Sequence, residues 1–350
     1  MEFIMKKYSQ DSLCFDDILL IPQYSTVASR REVDISAHIG GGGRGIGMSI
    51  PVIAAPMDTV CDGKMAYAIR KLGGYGIIHR YMSIDQMEQE LKFIKSTDPV
   101  SLGVAVGAKG DYLERAFMAV SNGAHMVLVD TANGHSEYAI QAVKNVRRNV
   151  GNKIHIMAGN VSTYDGFARL QDAGADSIRV GIGGGSVCTT RIVSGHGMPT
   201  LASILDIRSR IPYEDGASII ADGGIRNSGD AVKALAAGAD AVMLGSYLAG
   251  TDESPGEVYR SEGKRFKVFR GMASAEAQLS VMGSISVAEG VETTVPYKGS
   301  LESVLEEFKG GIGSGLSYTG AHNLKELYEE SMFIKVSQAS LNESRPHAAH

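Results

Sequence analysis

Apolar residues in this chain gather in short, nearly unbroken runs that recur at the spacing of one strand-plus-helix unit. PVIAAP from Pro51, YGIIH from Tyr75, LGVAVG from Leu102 and MVLVD from Met126 are the first four. IHIMAGN from Ile154, SIRVG from Ser177, SIIADGG from Ser218 and AVMLGS from Ala241 complete a set of eight. Continuous apolarity, rather than alternation, is how strands covered on both faces read. Between the runs lie stretches of helical period such as DGKMAYAIRKLG, SEYAIQAVKNVRRNV and GDAVKALAAGA. A weak internal repeat (SNGAHMVLVD, DAGADSIRVG, AAGADAVMLG) places a helix-ending Gly-Ala before a strand three times. Eight such units predict α/β architecture: a single TIM-type (β/α)8 barrel over 1–350. The competing architecture, an open doubly wound sheet, is disfavoured because no GxGxxG follows the first run.

Barrel enzymes place their chemistry in the loops after the strands, so those loops direct the search. They begin at Met57, Arg80-Tyr81, Asp130-Thr131-Ala132-Asn133, Asn160, Gly183, Asp222-Gly223-Gly224 and Gly245-Ser246. Beyond Ala249 the chain carries FRGMAS and VAEGVETTVPYKGS, which predict an excursion over about 262–300, followed by closing helices.

Composition narrows the classes. A net charge of -5 with no basic stripe excludes a nucleic-acid binder. The most basic stretch, Lys144 to Arg148, reads as the solvent face of a helix. Three widely spaced cysteines with no CxxC make neither a disulfide framework nor a zinc site, which points to a reduced, cytoplasmic compartment. No apolar run is long enough for a membrane span. A small anionic substrate stays open, because backbone N–H groups hold phosphate without net positive charge.

Gly223-Gly224 after the seventh run and Gly245-Ser246 after the eighth occupy the usual phosphate position of such barrels. Taken singly, each is an ordinary strand-ending turn; together, after those two strands, they favour phosphate binding. Asp222 is a candidate acceptor for ribose hydroxyls, or else a turn cap. The richest segment is GIGGGSVCTTR, Gly181 to Arg191. A lone cysteine is usually a small buried hydrophobe, but Cys188 stands among Ser, Thr and Arg on a glycine-rich loop, a setting that favours thiolate. Cys14 and Cys61 keep the core reading. Thr190 and Glu289 are candidates for a proton relay, although sequence distance does not show that they meet.

With GIGGGSVCTTR, the segments AAPMDTV, YGIIHRYMS, DTANGHSE, IMAGNV, IIADGGIRNSGD, MLGSYLAGTDESPGE and FRGMAS resemble the IMP dehydrogenase/GMP reductase family from Phe15 to the tail. The resemblance implies that Cys188 attacks C2 of a purine nucleotide and forms a covalent thioimidate. It implies nucleotide contacts at Ser186, Asp222, Gly223, Gly224, Gly245, Ser246, Gly271 and Met272. Cofactor contacts would fall at Arg80, Asp130, Thr131 and Asn133. The carbonyls of Gly183, Gly185 and Cys188 would bind potassium, and the assembly would be a homotetramer.

Within that family the fork is water against ammonia. The dehydrogenase oxidises IMP with NAD and hydrolyses the intermediate to XMP; the reductase takes GMP, expels ammonia and uses NADPH to make IMP. The dehydrogenase flap carries an Arg-Tyr pair that activates water, and here the stretch Ala273 to Glu289 contains neither residue. Only a single helix, DQMEQELKFIKSTDP, stands where most dehydrogenases insert CBS modules. DTANGHSE and IMAGNV also resemble the reductase more closely. Against this, PMDTV, TDESPGE and the terminal NESRPH resemble the dehydrogenase. Gly184 in place of the usual proline implies a looser loop, and Phe269 in place of the dehydrogenase's Tyr implies one lost phosphate hydrogen bond. The missing dyad carries most weight. The expectation is a GMP reductase using Cys188, Thr190 and Glu289, with IMP dehydrogenase as first alternative and a non-catalytic nucleotide-binding barrel as second.

Overall fold

Every one of the eight apolar runs is a strand whose residues are almost entirely covered. The computed structural model describes residues 12–344 except Glu214. The strands are β1 Val52–Ala54, β2 Tyr75–Ile78, β3 Gly103–Val106, β4 Met126–Asp130, β5 His155–Val161, β6 Ser177–Val180, β7 Ser218–Asp222 and β8 Ala241–Leu244. All neighbours are parallel, and Val242 of β8 pairs with Val52 of β1, so the sheet closes. This is the (β/α)8 barrel, with no inserted domain among the described residues.

Helices α1 Gly63–Lys71, α2 Ile84–Thr97, α3 Tyr112–Ser121, α4 Glu137–Val150 and α5 Tyr164–Asp172 alternate with the first strands. A short α6, Thr190–Ser194, precedes α7 Thr200–Arg208, and α8 Ser228–Ala236 links β7 to β8. Local chemistry starts many of them: Asp62, Ser83, Ser136, Thr163 and Asn227 each accept a backbone N–H from the first turn.

The Gly-Ala-Asp repeat has a structural meaning. Gly174 and Gly238 end their helices at φ +106° and +101°, where a side chain would be strained. The following Asp176 and Asp240 accept the N–H of Ile156 in β5 and Ile219 in β7, both at 2.7 Å, and so tie neighbouring strands together. Arg147 and Arg208 reach across to the same carboxylates and to the carbonyls of Gly174 and Gly238. Arg147 thus departs from the solvent-face reading of Lys144 to Arg148. A buried carboxylate and a cluster of carbonyls draw its guanidinium inward.

Beneath the strands lies an unanticipated hairpin, Ala37–Ile39 with Ile46–Met48. It is anchored by Arg44 to Asp176 at 2.7 Å and by the Gly40 N–H to Ser218 Oγ at 2.9 Å. The excursion after β8 is an antiparallel ribbon of β9 Tyr259–Ser261, β10 Lys264–Arg270 and β11 Glu292–Pro296. Helix α9, Ala275–Met282, lies between β10 and β11. Helices α10 Leu301–Thr319 and α11 Leu324–Glu330 then pack against α8. Of the terminal NESRPH, Arg345 to His347 lie outside the described residues. Among the described residues no helix is long and apolar enough to cross a membrane.

Candidate active site

Glycine lets two backbones touch at the rim of the barrel. Gly181, at φ +139°, lies so close to the next strand's end that a Cβ there would stand 2.0 Å from Asp222 O. Gly223, at φ +91°, faces Gly185 N in the same way, at 3.1 Å. The loop after β6 therefore lies directly on the turn after β7. On that loop the Cys188 N–H donates to Gly185 O at 3.1 Å, and the Cys188 thiol donates to Thr190 Oγ1 at 3.2 Å.

The excursion folds back onto the cysteine loop through backbone pairing. Thr189 N–H donates to Glu289 O and Val291 N–H to Val187 O, both at 3.0 Å. Glu289 N–H donates to Ala273 O at 3.0 Å, which closes the flap segment into a loop. Glu289 and Thr190, far apart in sequence, consequently line one cavity with Cys188.

That cavity, of about 380 Å³, collects nearly every residue singled out from the sequence. Ser186, Asp222, Gly223, Gly224, Gly245, Ser246, Gly271 and Met272 line it, as do Arg80, Asp130 and Thr131. Asn133 is the exception. It lines an adjoining hollow of about 790 Å³ with His135, Ser162, Thr163 and His196. The two spaces share Ala132, Ile182, Thr190 and Glu289, so Glu289 stands where they join.

Two of the cavity's carboxylates are joined by a residue that the sequence reading did not single out. Arg179, in β6, donates from Nη1 to Asp130 Oδ1 at 2.5 Å and from Nη2 and Nε to Asp222 Oδ2 at 2.8 and 3.1 Å. Arg80 Nε adds 3.3 Å to Asp130 Oδ2, and Asn160 Nδ2 donates to Asp222 Oδ2 at 2.7 Å. Burial pushes the Asp130 carboxyl up, but the guanidiniums of Arg179 and Arg80 outweigh it and hold the group below the usual carboxylate range. The available signal was an arginine inside the otherwise apolar run SIRVG, since a charge on a covered strand needs partners.

A second ion pair braces the cavity wall near Met272. Arg270 donates to Asp58 Oδ2 at 2.9 and 2.5 Å, and Tyr81 Oη donates to Met272 O at 2.7 Å. Phe269 is buried, with its ring tip 3.8 Å from where a Cβ on Gly245 would stand, so an apolar edge replaces a phenol there. Gly184 is wedged rather than loose: a Cβ on it would meet Thr200 Oγ1 at 3.0 Å and Gly223 C at 3.5 Å. Arg191, counted among the polar surroundings of Cys188, turns instead to Met198 O at 2.9 Å and packs its stem over Gly183 and Gly197.

Residues 12–347 match a family model described as the IMP dehydrogenase / GMP reductase domain. The chain is 34% identical to an inosine-5'-monophosphate dehydrogenase of Nitrosopumilus maritimus, covering 97% of this chain and 98% of that protein. It is 31% identical to a GMP reductase of Leishmania major, covering 96% and 97%. Those alignments run over 473 and 481 positions, so more than a hundred positions of each have no counterpart in this chain of 350. An absent insertion therefore does not separate reductase from dehydrogenase. Among solved structures, GMP reductase from Trypanosoma brucei, as a cysteine-to-alanine variant in complex with guanosine 5'-monophosphate, superposes with a TM-score of 0.91 at 30% identity, covering 97% of this chain and 98% of that one.

Proposed function

This chain belongs to the IMP dehydrogenase / GMP reductase family, whose members are oxidoreductases acting on purine nucleotides, and from that premise we propose that it is a GMP reductase. The observation that carries the choice is what the flap presents to the cavity. Among the described residues between Ala273 and Glu289, the lining groups are Ala273, Val287 and Glu289, and the segment's sequence contains a carboxylate there and no Arg-Tyr pair.

GMP is placed with its phosphate on Ser186, Gly224, Gly245 and Ser246, and with its base against Gly271 and Met272. The ribose diol takes Asp222 through Oδ1, because the donors from Arg179 and Asn160 converge on Oδ2. Cys188 gives up its proton toward Thr190, and its thiolate adds to C2. Glu289 passes a proton through Thr190 to the 2-amino group, and the C2–N bond breaks to release ammonia and leave a thioimidate. NADPH, when bound, supplies hydride to C2. The C2–S bond then breaks, returning thiolate to Cys188 and IMP to solution. Arg80, Asp130, Thr131 and Asn133 are the proposed cofactor contacts, and the two joined spaces provide room for a dinucleotide beside a nucleotide.

Potassium on the carbonyls of Gly183, Gly185 and Cys188 belongs to the same proposal; Gly185 O accepts the Cys188 N–H, which leaves that carbonyl one further lone pair for a cation. A cytoplasmic homotetramer belongs to the same proposal, with light scattering as its test.

One observation favours IMP dehydrogenase with NAD as the second reading. Arg80 stacks its guanidinium 5.0 Å from the Tyr81 ring centre, and both line the cavity, so an Arg-Tyr pair does face the site from a barrel loop. It is already engaged, however, by Asp130 and by Met272 O. Absorbance at the reduced-nicotinamide band decides. Loss of signal with GMP plus NADPH, accompanied by ammonia, supports the reductase; a gain with IMP plus NAD replaces it with the dehydrogenase. Nucleotide binding with neither signal would leave a non-catalytic barrel.

A further inference from the structure

Two lysines that the proposed reaction does not use grip the loop after β8. Lys298, just past β11, donates to the carbonyls of Ser246 and Tyr247, both at 2.7 Å, with its ammonium 5.3 Å from the Tyr247 ring centre. Lys267, in β10 and 3% exposed, donates to Thr251 O at 3.0 Å and Ser254 O at 2.6 Å. The segment carrying Lys298 is itself stapled to the loop. Lys298 N–H donates to Gly250 O at 2.8 Å, Asp252 N–H to Gly299 O at 2.9 Å, and Tyr297 Oη to Asp252 Oδ1 at 2.6 Å.

A charged donor on neutral carbonyls makes strong, directional bonds and so fixes peptide planes. In a trans peptide the C=O and the following N–H point in opposite directions. Aiming the Ser246 carbonyl at Lys298 therefore turns the Tyr247 N–H the other way. Gly245 and Ser246 line the cavity and Lys298 does not, so the lysine works from behind the loop.

We propose that Lys298 is a positioning residue for the nucleotide's phosphate. It fixes the Ser246–Tyr247 peptide so that backbone N–H groups face the phosphate, while Lys267 braces the far end of the same loop. The ammonium itself stays on the carbonyl side and touches no substrate atom. This inference rests on the phosphate lying at Gly245 and Ser246, as proposed above.

The test compares the affinities of GMP and guanosine, which differ only in the phosphate, for the full-length protein, Lys298→Met and Lys298→Arg. Lys298→Met is expected to bind GMP roughly tenfold more weakly with guanosine unchanged, the scale of one lost charge-assisted bond, and Lys298→Arg to recover most of the difference. KM for GMP should rise in step while kcat stays within about twofold, since the chemistry at C2 is untouched. Equal binding of GMP and guanosine by the unsubstituted protein would remove the phosphate assignment and this inference with it. An undiminished preference for GMP in Lys298→Met would overturn the role of Lys298 alone and leave the phosphate assignment standing. If Lys298→Met melts early, Lys298→Arg decides: normal melting without recovered GMP preference counts against the proposal.

Discussion

Arg179 and Glu289 both line the cavity, yet the molecule holds them by different means. Arg179 grows out of a covered barrel strand, its side chain 10% exposed and fixed by three hydrogen bonds to two carboxylates. Glu289 belongs to a segment whose Leu279, Ile285 and Val287 are exposed, and it is placed through its backbone, by Ala273 O and the Thr189 N–H. The barrel rim is preorganised by charge and packing, whereas the flap is a tether that delivers one carboxylate. The proposed division of labour follows that contrast. Steps shared by both reactions of the family, nucleotide seating and thiolate attack, sit on the rim, and the step that distinguishes them sits on the flap.

The largest effect should come from the rim. Cys188→Ala is expected to lower turnover by about 10⁴-fold or more, because among the described residues no other thiol lines the cavity and the neighbouring Ser186 and Thr190 hydroxyls are far weaker nucleophiles. GMP affinity should stay within a few-fold in equilibrium binding. Persistent turnover would sink the covalent scheme on either reading of the reaction.

Arg179→Met is expected next. It leaves Asp130 and Asp222 facing each other without their shared cation, and breaking a buried pair typically costs about 3–5 kcal/mol. Denaturant unfolding would read this as a lowered midpoint. A change below about 1 kcal/mol would mean that the rim is not held by this network, and the contrast with the flap would fail.

Glu289→Gln should act on rate and spare the fold. A drop of roughly 10²-fold in ammonia release, with KM for GMP nearly unchanged and unfolding unaltered, is the expected signature of a lost proton relay. Equal losses in rate and in stability would show that the flap supports the rim rather than serving it.

How much of this was legible in the sequence follows the same divide. The eight strands could be read because a strand covered on both faces has few polar positions to blur it, as VIA of β1 and VLV of β4 show. The site loops could be read because their glycines and polar residues interrupt that pattern at one end of each run. The hairpin of Ala37 to Met48 was missed because its strands are three residues long and flanked by five glycines among 40–45, which read as a loop. Arg179 was missed because its importance lies in meeting Asp130 and Asp222, a contact made only when β4, β6 and β7 come together in the closed barrel. Glu289 could be named only as a relay candidate whose partner the sequence did not show, because its meeting with Cys188 depends on the Cys188–Gly290 bridge, which no local pattern encodes.

The smallest effect concerns acid. The Asp130 carboxyl is held below its ordinary range in the folded protein, while in the unfolded chain it titrates near about 4. A group of that sign contributes its stabilisation fully above the unfolded value and loses it as pH falls through the lower folded one. Below about pH 4 the unfolded state therefore binds the proton first, and stability should fall with a slope of at most about 1.4 kcal/mol per pH unit from this group. Unfolding midpoints between neutral pH and pH 3, compared with those of Asp130→Asn, isolate the contribution. The variant should lie lower at neutral pH, because Arg179 and Arg80 lose a charged partner, and should decline less steeply in acid. Parallel curves would assign the acid sensitivity to other carboxylates and leave the Arg179 bond to Asp222 as the rim's main tie. The charge that fixes the barrel side would then lie on β6 and β7, next to the cysteine loop, rather than spread across to β4.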